Sequence, residues 1–264
     1  MLKRTLHDAA ETGDVEEFVT LATFGRDADA FDMDDCTPLH YAARFGQDEM
    51  IEHLLAHGVN NLAVNRQGGT ALHEAASSGH VTATRLLLEQ LPLEVDGPDG
   101  EGKTPLHVAA YAGQPGVVRL LLDYGFSVEP GDQFGRTALH YAAMYGHSAA
   151  ARILVEGGAN VNANSPVFGS PLHEAVGHDR AGVTQLLLSC DGIEVNARDM
   201  GGNTPFHLGV QRGAIRPLEL LLAHPGGADL NARNADDKTP LMEATGEIGS
   251  PRMADFLRQN GATG

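Results

Sequence analysis

The chain has 264 residues, 42% of them apolar and 20% charged, a balance typical of a folded soluble protein rather than a disordered one. It carries 35 Asp and Glu against 18 Lys and Arg, a formal charge of −17, and no run of five Lys or Arg, so phosphate backbones are repelled and no nucleic-acid partner is expected. No stretch of about 18 apolar residues occurs, so no membrane span is expected either.

From the N-terminus, Met1 to His7 lacks the apolar core of a secretory signal. The first ordered pattern is the pair Leu6-His7. A fuller version follows at Thr37-Pro38-Leu39-His40, then at Thr70-Ala71-Leu72-His73 and Thr104-Pro105-Leu106-His107. It continues at Thr137-Ala138-Leu139-His140, Ser170-Pro171-Leu172-His173, Thr204-Pro205-Phe206-His207 and Thr239-Pro240-Leu241-Met242. Successive starts from Thr37 lie 33, 34, 33, 33, 34 and 35 residues apart, and one step back from Thr37 lands on Arg4. A fixed period of this length marks a repeat architecture. The expectation is one domain over residues 1–264 in eight units, beginning near 4, 37, 70, 104, 137, 170, 204 and 239.

Within a unit, Thr or Ser reads as a helix N-cap and Pro as the first helical residue, with φ preset and no amide to leave unpaired. Leu points inward, and small pairs such as Ala42-Ala43 and Ala109-Ala110 let neighbouring helices approach. Gly46, Gly79, Gly113 and Gly146 end this first helix. A second helix follows, as in Val117-Val118-Arg119-Leu120-Leu121-Leu122, with Glu52, Arg85, Arg119, Arg152, Gln185 and Glu219 on its wet side. Gly58, Gly125 and Gly157 end it, and Asp32, Asn65, Asp99, Asp132 and Asp199 lead into tight reversals. The longer spacings fall after second helices, near Leu91 to Leu93, Ser189 to Asp191 and His224 to Gly227, where loops absorb them at little cost. Both ends read as caps with a polar outer face: Lys3, Asp8 and Glu11 at one, Arg252, Asp255, Arg258 and Gln259 at the other.

These phased tetrads resemble the ankyrin repeat family over roughly residues 2–262. The resemblance implies an all-α fold, a solenoid of stacked helix-turn-helix units with projecting β-hairpin loops. It also implies that the tetrad histidines His7, His40, His73, His107, His140, His173 and His207 hydrogen-bond between loops and repeats, a tie that Met242 in the last unit cannot make.

Chemistry is sparse. No GxSxG, HExxH or CxxC motif is present, so catalysis is not the expected role and no catalytic residue is assigned. Seven of the 13 histidines follow the repeat rather than a ligand cage, and His53 with His57 lacks a third ligand, so neither metal nor cofactor is expected. Cys36 reads as an exposed thiol among Asp32, Asp34 and Asp35, which would raise its pKa. Cys36 and Cys190 form no disulfide framework, which favours a reducing, cytoplasmic setting with a nuclear address left open.

The resemblance implies binding through loop tips and first-helix ends, which line the concave face. Aromatic, Met and Val side chains gather there at Phe45, Tyr111, Phe134, Met144, Tyr145, Val167, Phe168 and Met200, with the acidic Asp34 and Glu101 alongside. Apolar anchors on a nominally wet strip point to an interface, with local packing of Phe134 and Phe168 over neighbouring turns as the alternative. The expected role is a protein-protein interaction scaffold or inhibitor, a monomer gripping a protein or peptide partner. The charge either attracts a basic segment or serves only solubility. Two other readings stand beside it: an enzyme or small-ligand binder using the concave groove, and the recognition arm of a larger multidomain protein.

Overall fold

A computed structural model describes residues 5–90, 97–246 and 250–263 of the chain, and within them the period resolves into paired short helices. The projected start at Arg4 and the loop around Leu91 to Leu93 lie outside the described residues. The chain divides into two units, Met1–Ser127 and Val128–Gly264. In the first unit the helices are α1 (Leu6–Thr12), α2 (Val15–Thr23), α3 (Pro38–Phe45), α4 (Asp48–Ala56), α5 (Ala71–Ser78), α6 (Val81–Glu89), α7 (Pro105–Tyr111) and α8 (Pro115–Asp123). In the second they are α9 (Ala138–Tyr145), α10 (Ser148–Glu156), α11 (Pro171–Gly177), α12 (Ala181–Leu188), α13 (Pro205–Arg212), α14 (Ile215–Ala223), α15 (Pro240–Thr245) and α16 (Pro251–Gln259). Among the described residues no helix is long and apolar enough to cross a membrane.

Helices of six to nine residues are too short to persist alone in water, so packing must hold them. In the first unit α1, α3, α5 and α7 pack side by side in one row, and α2, α4, α6 and α8 in another. The second unit repeats the plan, with α9, α11, α13 and α15 in one row and α10, α12 and α14 in the other. Each first helix buries its tetrad apolar residue: Leu6, Leu39, Leu72 and Leu106 in one unit, Leu139, Leu172, Phe206 and Leu241 in the other. The second helices bury matched triads such as Met50, Ile51 and Leu54, or Val183, Thr184 and Leu187. The positions assigned to the wet side of these helices are all exposed.

Capping uses the tetrad histidine more fully than the cap hydroxyl alone would suggest. At Thr37, Thr70, Thr104, Thr137, Ser170 and Thr204 the histidine three residues on reaches back, and its Nδ1 accepts from the cap backbone N–H at 3.0–3.2 Å. This is a capping box with an imidazole in place of the usual Glu or Gln. The opposite ring nitrogen, Nε2, faces a carbonyl of the next repeat: His40 to Gly69 at 3.1 Å, His73 to Lys103 at 3.0 Å, His140 to Gly169 at 2.9 Å, His173 to Asn203 at 3.0 Å and His207 to Lys238 at 3.2 Å. A carbonyl can only accept, so Nε2 carries the proton and Nδ1 is the bare acceptor. The last unit, with Met242, caps through the Thr239 hydroxyl instead.

A second set of ties runs along the N-caps of the second helices. Gln47 donates to the Glu11 carbonyl at 2.8 Å, Gln114 to Ser77 at 3.3 Å and Arg180 to Met144 at 3.0 Å, while His80 Nε2 meets the Arg44 carbonyl at 3.1 Å. Each side chain thereby satisfies an orphan carbonyl at the end of the preceding repeat's first helix.

Four local details qualify this picture. The first helix is capped by Thr5 with Asp8, not from position 4, because Asp8 supplies the reciprocal capping-box carboxylate. The projecting hairpins form no strand among the described residues. Their tips close with turn bonds, such as Asp99 N–H to the Lys103 carbonyl at 2.8 Å and Gly102 N–H to the Asp99 carbonyl at 3.0 Å, and among the described residues only Ser165 and Gly169 exchange both bonds with each other. An Asx side chain does the rest, as where Asp132 Oδ1 accepts from the Phe134 and Arg136 amides at 2.8 and 2.9 Å. Gly157 is the C-cap of α10, and the left-handed residue is the next one, Gly158, in phase with Gly58 and Gly125. Finally, Asp179, at φ 57°, takes the left-handed position that Gly46, Gly79 and Gly146 hold elsewhere, a conformation Asp tolerates better than most residues.

Leu121 is fully buried in α8, which packs on both α6 and α7. Leu121→Ala is expected to cost about 2–5 kcal/mol, read from urea or thermal unfolding. An unfolding curve unchanged by this substitution would mean the second helices are wrongly phased.

Candidate functional site

In the first unit, Phe45 and Tyr111 are both exposed on first-helix ends. Phe45 stacks on Tyr41 with ring centroids 6.5 Å apart, and the Lys103 ammonium lies 5.9 Å from the Tyr111 ring. The two acidic tip residues do not present free charge. Asp34 pairs with Arg66 at 2.9 Å and Glu101 with Lys103, because each tip places a basic residue within reach. Such exposed pairs add little stability, but they blunt the steering role expected of these carboxylates. Asp32 is likewise occupied. Burial raises its pKa, yet hydrogen bonds from Tyr41 and from the amides of Asp34 and Cys36 outweigh this and leave it below the usual carboxylate range. Cys36 is buried, not exposed, since its amide is drawn inward to Asp32. Burial first, then the Asp32 charge, pushes its thiol up.

In the second unit the aromatic tips form a cluster. Phe134 and Phe168 meet edge to face at 6.0 Å, and the Arg136 guanidinium sits 5.3 Å from Phe134, 4.6 Å from Phe168 and 4.7 Å from Tyr141. Arg136 is held there by Asp132 at 2.9 Å, which also accepts from the Tyr141 hydroxyl at 2.7 Å. Phe134 and Phe168 therefore do pack over neighbouring turns, as one expectation had it. Phe134 nevertheless stays 42% exposed, and Tyr145, Val167 and Met200 are exposed as well.

Beside this cluster, between α11 and α13, lies a cavity of about 290 Å³. Met144, Val167 and Phe168 supply apolar wall, and Gln211 and Arg212 stand on another side. Glu174 of α11 also lines it, although the residue is only 4% exposed. One carboxylate oxygen, Oε1, has no partner, while Oε2 lies 3.3 Å from His178 Nδ1. Burial pushes the Glu174 carboxyl up to about 7, against the pull of the Arg136 charge. A buried carboxyl in a cleft, perturbed by desolvation, is the kind of group that marks functional sites. Sequence reasoning placed Met144, Val167 and Phe168 on this strip but missed Glu174, whose side chain follows a helix face that looked like ordinary core lining.

Elsewhere the chemistry stays structural. The rings of His53 and His57 lie 4.1 Å apart, and among the described residues no group of three His, Cys, Asp or Glu is placed to hold a metal.

The raised Glu174 pKa has a definite sign for stability. Between the ordinary value of 4.5 and about 7 the folded chain keeps a proton that the unfolded chain releases, so this group destabilises the fold as pH rises through that window. Burial lowers the pKa of His40, His73 and His173, which act in the opposite sense: their contribution is lost as pH falls below 6.5. Glu174→Gln leaves the histidines alone. Its stability relative to the parent chain is expected to increase as pH rises from about 4.5 to about 7, by up to about 1.4 kcal/mol per pH unit, and to level off above. Urea midpoints of both proteins across that range provide the check. A pH-independent difference would show that Glu174 is not held protonated.

Comparison with known proteins agrees with this architecture. The family model for ankyrin repeats (3 copies) matches residues 6–99, 89–165, 127–199 and 172–263. The crystal structure of the human ASB11 ankyrin repeat domain superposes with a TM-score of 0.77 at 28% identity, covering 87% of this chain and all of that one. Sequence relatives include the ARF GTPase-activating protein Git of Drosophila melanogaster, 35% identical over 91 residues, which are 34% of this chain and 12% of Git. Human diacylglycerol kinase iota is 36% identical over 91 residues, 33% of this chain and 8% of the kinase. Rabankyrin-5 of Mus musculus is 38% identical over 72 residues, 27% of this chain and 6% of its own length. The matched stretches are thus small parts of much longer relatives. With the tetrads, the paired helices and a family model matched along nearly its whole length, this chain belongs to the ankyrin repeat family.

Proposed function

We propose that this protein is an interaction scaffold or inhibitor that holds a segment of a partner protein on the face built from loop tips and first helices, chiefly in the second unit. Ankyrin repeats generally mediate protein-protein interaction, and what supports the site is the company its apolar residues keep. Phe134, Tyr145, Val167 and Met200 are exposed on loop tips and a first-helix end, beside a cavity whose buried carboxyl lacks a full set of partners. Exposed aromatic and Met side chains around a small pocket have the composition of interface anchors rather than of ordinary surface. The −17 charge of the chain favours a partner segment with basic residues. Such a protein needs no oligomer to act, and we take the monomer as its working form, in the cytoplasm or nucleus.

A second reading makes the repeats the recognition arm of a longer polypeptide. It is supported by the relatives, in which the matched repeats occupy 14% or less of the protein. An immunoblot of the native source, comparing the endogenous size with 27.9 kDa, separates the two.

The test of the site is the double substitution Phe134→Ala and Tyr145→Ala. A partner captured from the native source and then purified should bind the double variant with affinity reduced by more than about 1 kcal/mol per anchor. Circular dichroism should show both proteins equally folded. Unchanged affinity would remove this face from consideration.

A further inference from the structure

Three repeats carry a glutamate directly after the tetrad: Glu74, Glu174 and Glu243. Two of them are satisfied from the same pair of positions. Glu74 receives both nitrogens of the Arg44 fork at 2.9 Å each, from the preceding first helix, and the Asn65 amide at 2.9 Å from nine residues back. Glu243 receives the Gln211 amide at 2.9 and 3.0 Å from the corresponding place, and Asn234 at 3.0 Å from nine residues back. For Glu174 those two positions hold Met144 and Ser165. Met144 has no donor, and the Ser165 hydroxyl is turned away to the Phe134 carbonyl at 2.7 Å. The carboxylate is kept, its donors are gone, and a cavity stands where they would be.

We propose that this cavity receives an arginine side chain of the partner protein, whose guanidinium binds Glu174 in the way Arg44 binds Glu74. The inference rests on the partner-binding reading above and specifies its chemistry. Arginine fits better than lysine because its planar fork meets a carboxylate at two points, and it is the residue this fold itself uses against Glu74. Met144, Val167 and the Phe168 ring offer apolar wall for the aliphatic stem. The other charged or titratable groups nearby are His173 of α11, His178 at its C-cap, Asp199 of the following tip, Arg212 of α13 and Arg136 at the base of α9. Arg136 is already paired with Asp132, and Arg212 shares the cavity without bonding Glu174. Because Glu174 is already desolvated in the free chain, forming the pair costs only the arginine's own loss of water.

The test uses the full chain labelled with ¹³C at glutamate side-chain carboxyls, titrated with the peptide Ac-Ala-Arg-Ala-NH₂ and with its citrulline and lysine analogues. The arginine peptide should shift the Glu174 resonance saturably and lower the pH midpoint of that resonance. The lysine peptide should bind at least threefold more weakly, and the citrulline peptide should leave the resonance in place. Glu174→Gln should abolish arginine-peptide binding. Met144→Arg should weaken it at least tenfold and lower the Glu174 midpoint without any peptide, because the chain then satisfies its own carboxylate. Should Met144→Arg fail to fold, the near-isosteric Glu174→Gln still decides. Equal binding of arginine and citrulline peptides, or binding that survives Glu174→Gln, overturns the proposal. So does a Glu174 midpoint that is already low in the free protein and rises in Arg212→Gln, since Arg212 would then be the occupant. An inert arginine peptide together with lost partner affinity in the Phe134 and Tyr145 double variant refutes this inference while leaving the interaction reading intact.

Discussion

A neutral imidazole with one bare and one protonated nitrogen is the part on which the six repeats between the two ends depend. It closes the first turn of its own helix by accepting the cap amide, and it donates across to a carbonyl of the next repeat. No other side chain offers an acceptor and a donor on opposite edges of a rigid ring. The ring must stay uncharged to do both, and burial secures this by disfavouring the imidazolium at His40, His73 and His173. Helices of two turns would otherwise fray, so local capping and inter-repeat register come from one residue.

Around that tie, polar side chains at fixed positions take up the backbone groups that short helices leave open. Gln47, His80, Gln114 and Arg180 differ in chemistry but reach the same kind of carbonyl. Any donor of sufficient length serves at this position, though Ala214, at the same place before α14, has none. The glutamates after the tetrad show the same substitution logic: Arg44 and Gln211 are interchangeable as donors, whereas Met144 is not one. A repeat protein therefore contains its own controls, because one position is sampled in several nearly identical settings. At Glu174 the departure from the pattern leaves a carboxyl at about 7 in a cavity, where its two counterparts have ordinary partners.

The candidate strip was readable in part. Phase alone put Phe134, Met144, Tyr145, Val167 and Phe168 at loop tips and helix ends. Their mutual arrangement was not readable, since the edge-to-face ring pair and the guanidinium beneath it depend on how two adjacent tips lean together. The acidic tips misled for a related reason. Asp34 and Glu101 look free in a linear string, but their cations, Arg66 on the next tip and Lys103 two residues on, face them only once the turns close. Cys36 looked exposed because of its acidic neighbours, yet an Asx turn rotates it into the core.

By itself the amino-acid order determined the period, the two helices per repeat and the apolar residues that face inward; the histidine ties between repeats came from the resemblance to ankyrin repeats. The first three follow from local capping chemistry and from a spacing that recurs until chance cannot explain it. Only the tertiary structure decided which carboxylates find donors, how far the hairpins reduce to tight turns, and where a cavity remains. Those outcomes turn on distances between side chains about thirty residues apart, set by how neighbouring helices pack, and a one-dimensional pattern carries no such distance.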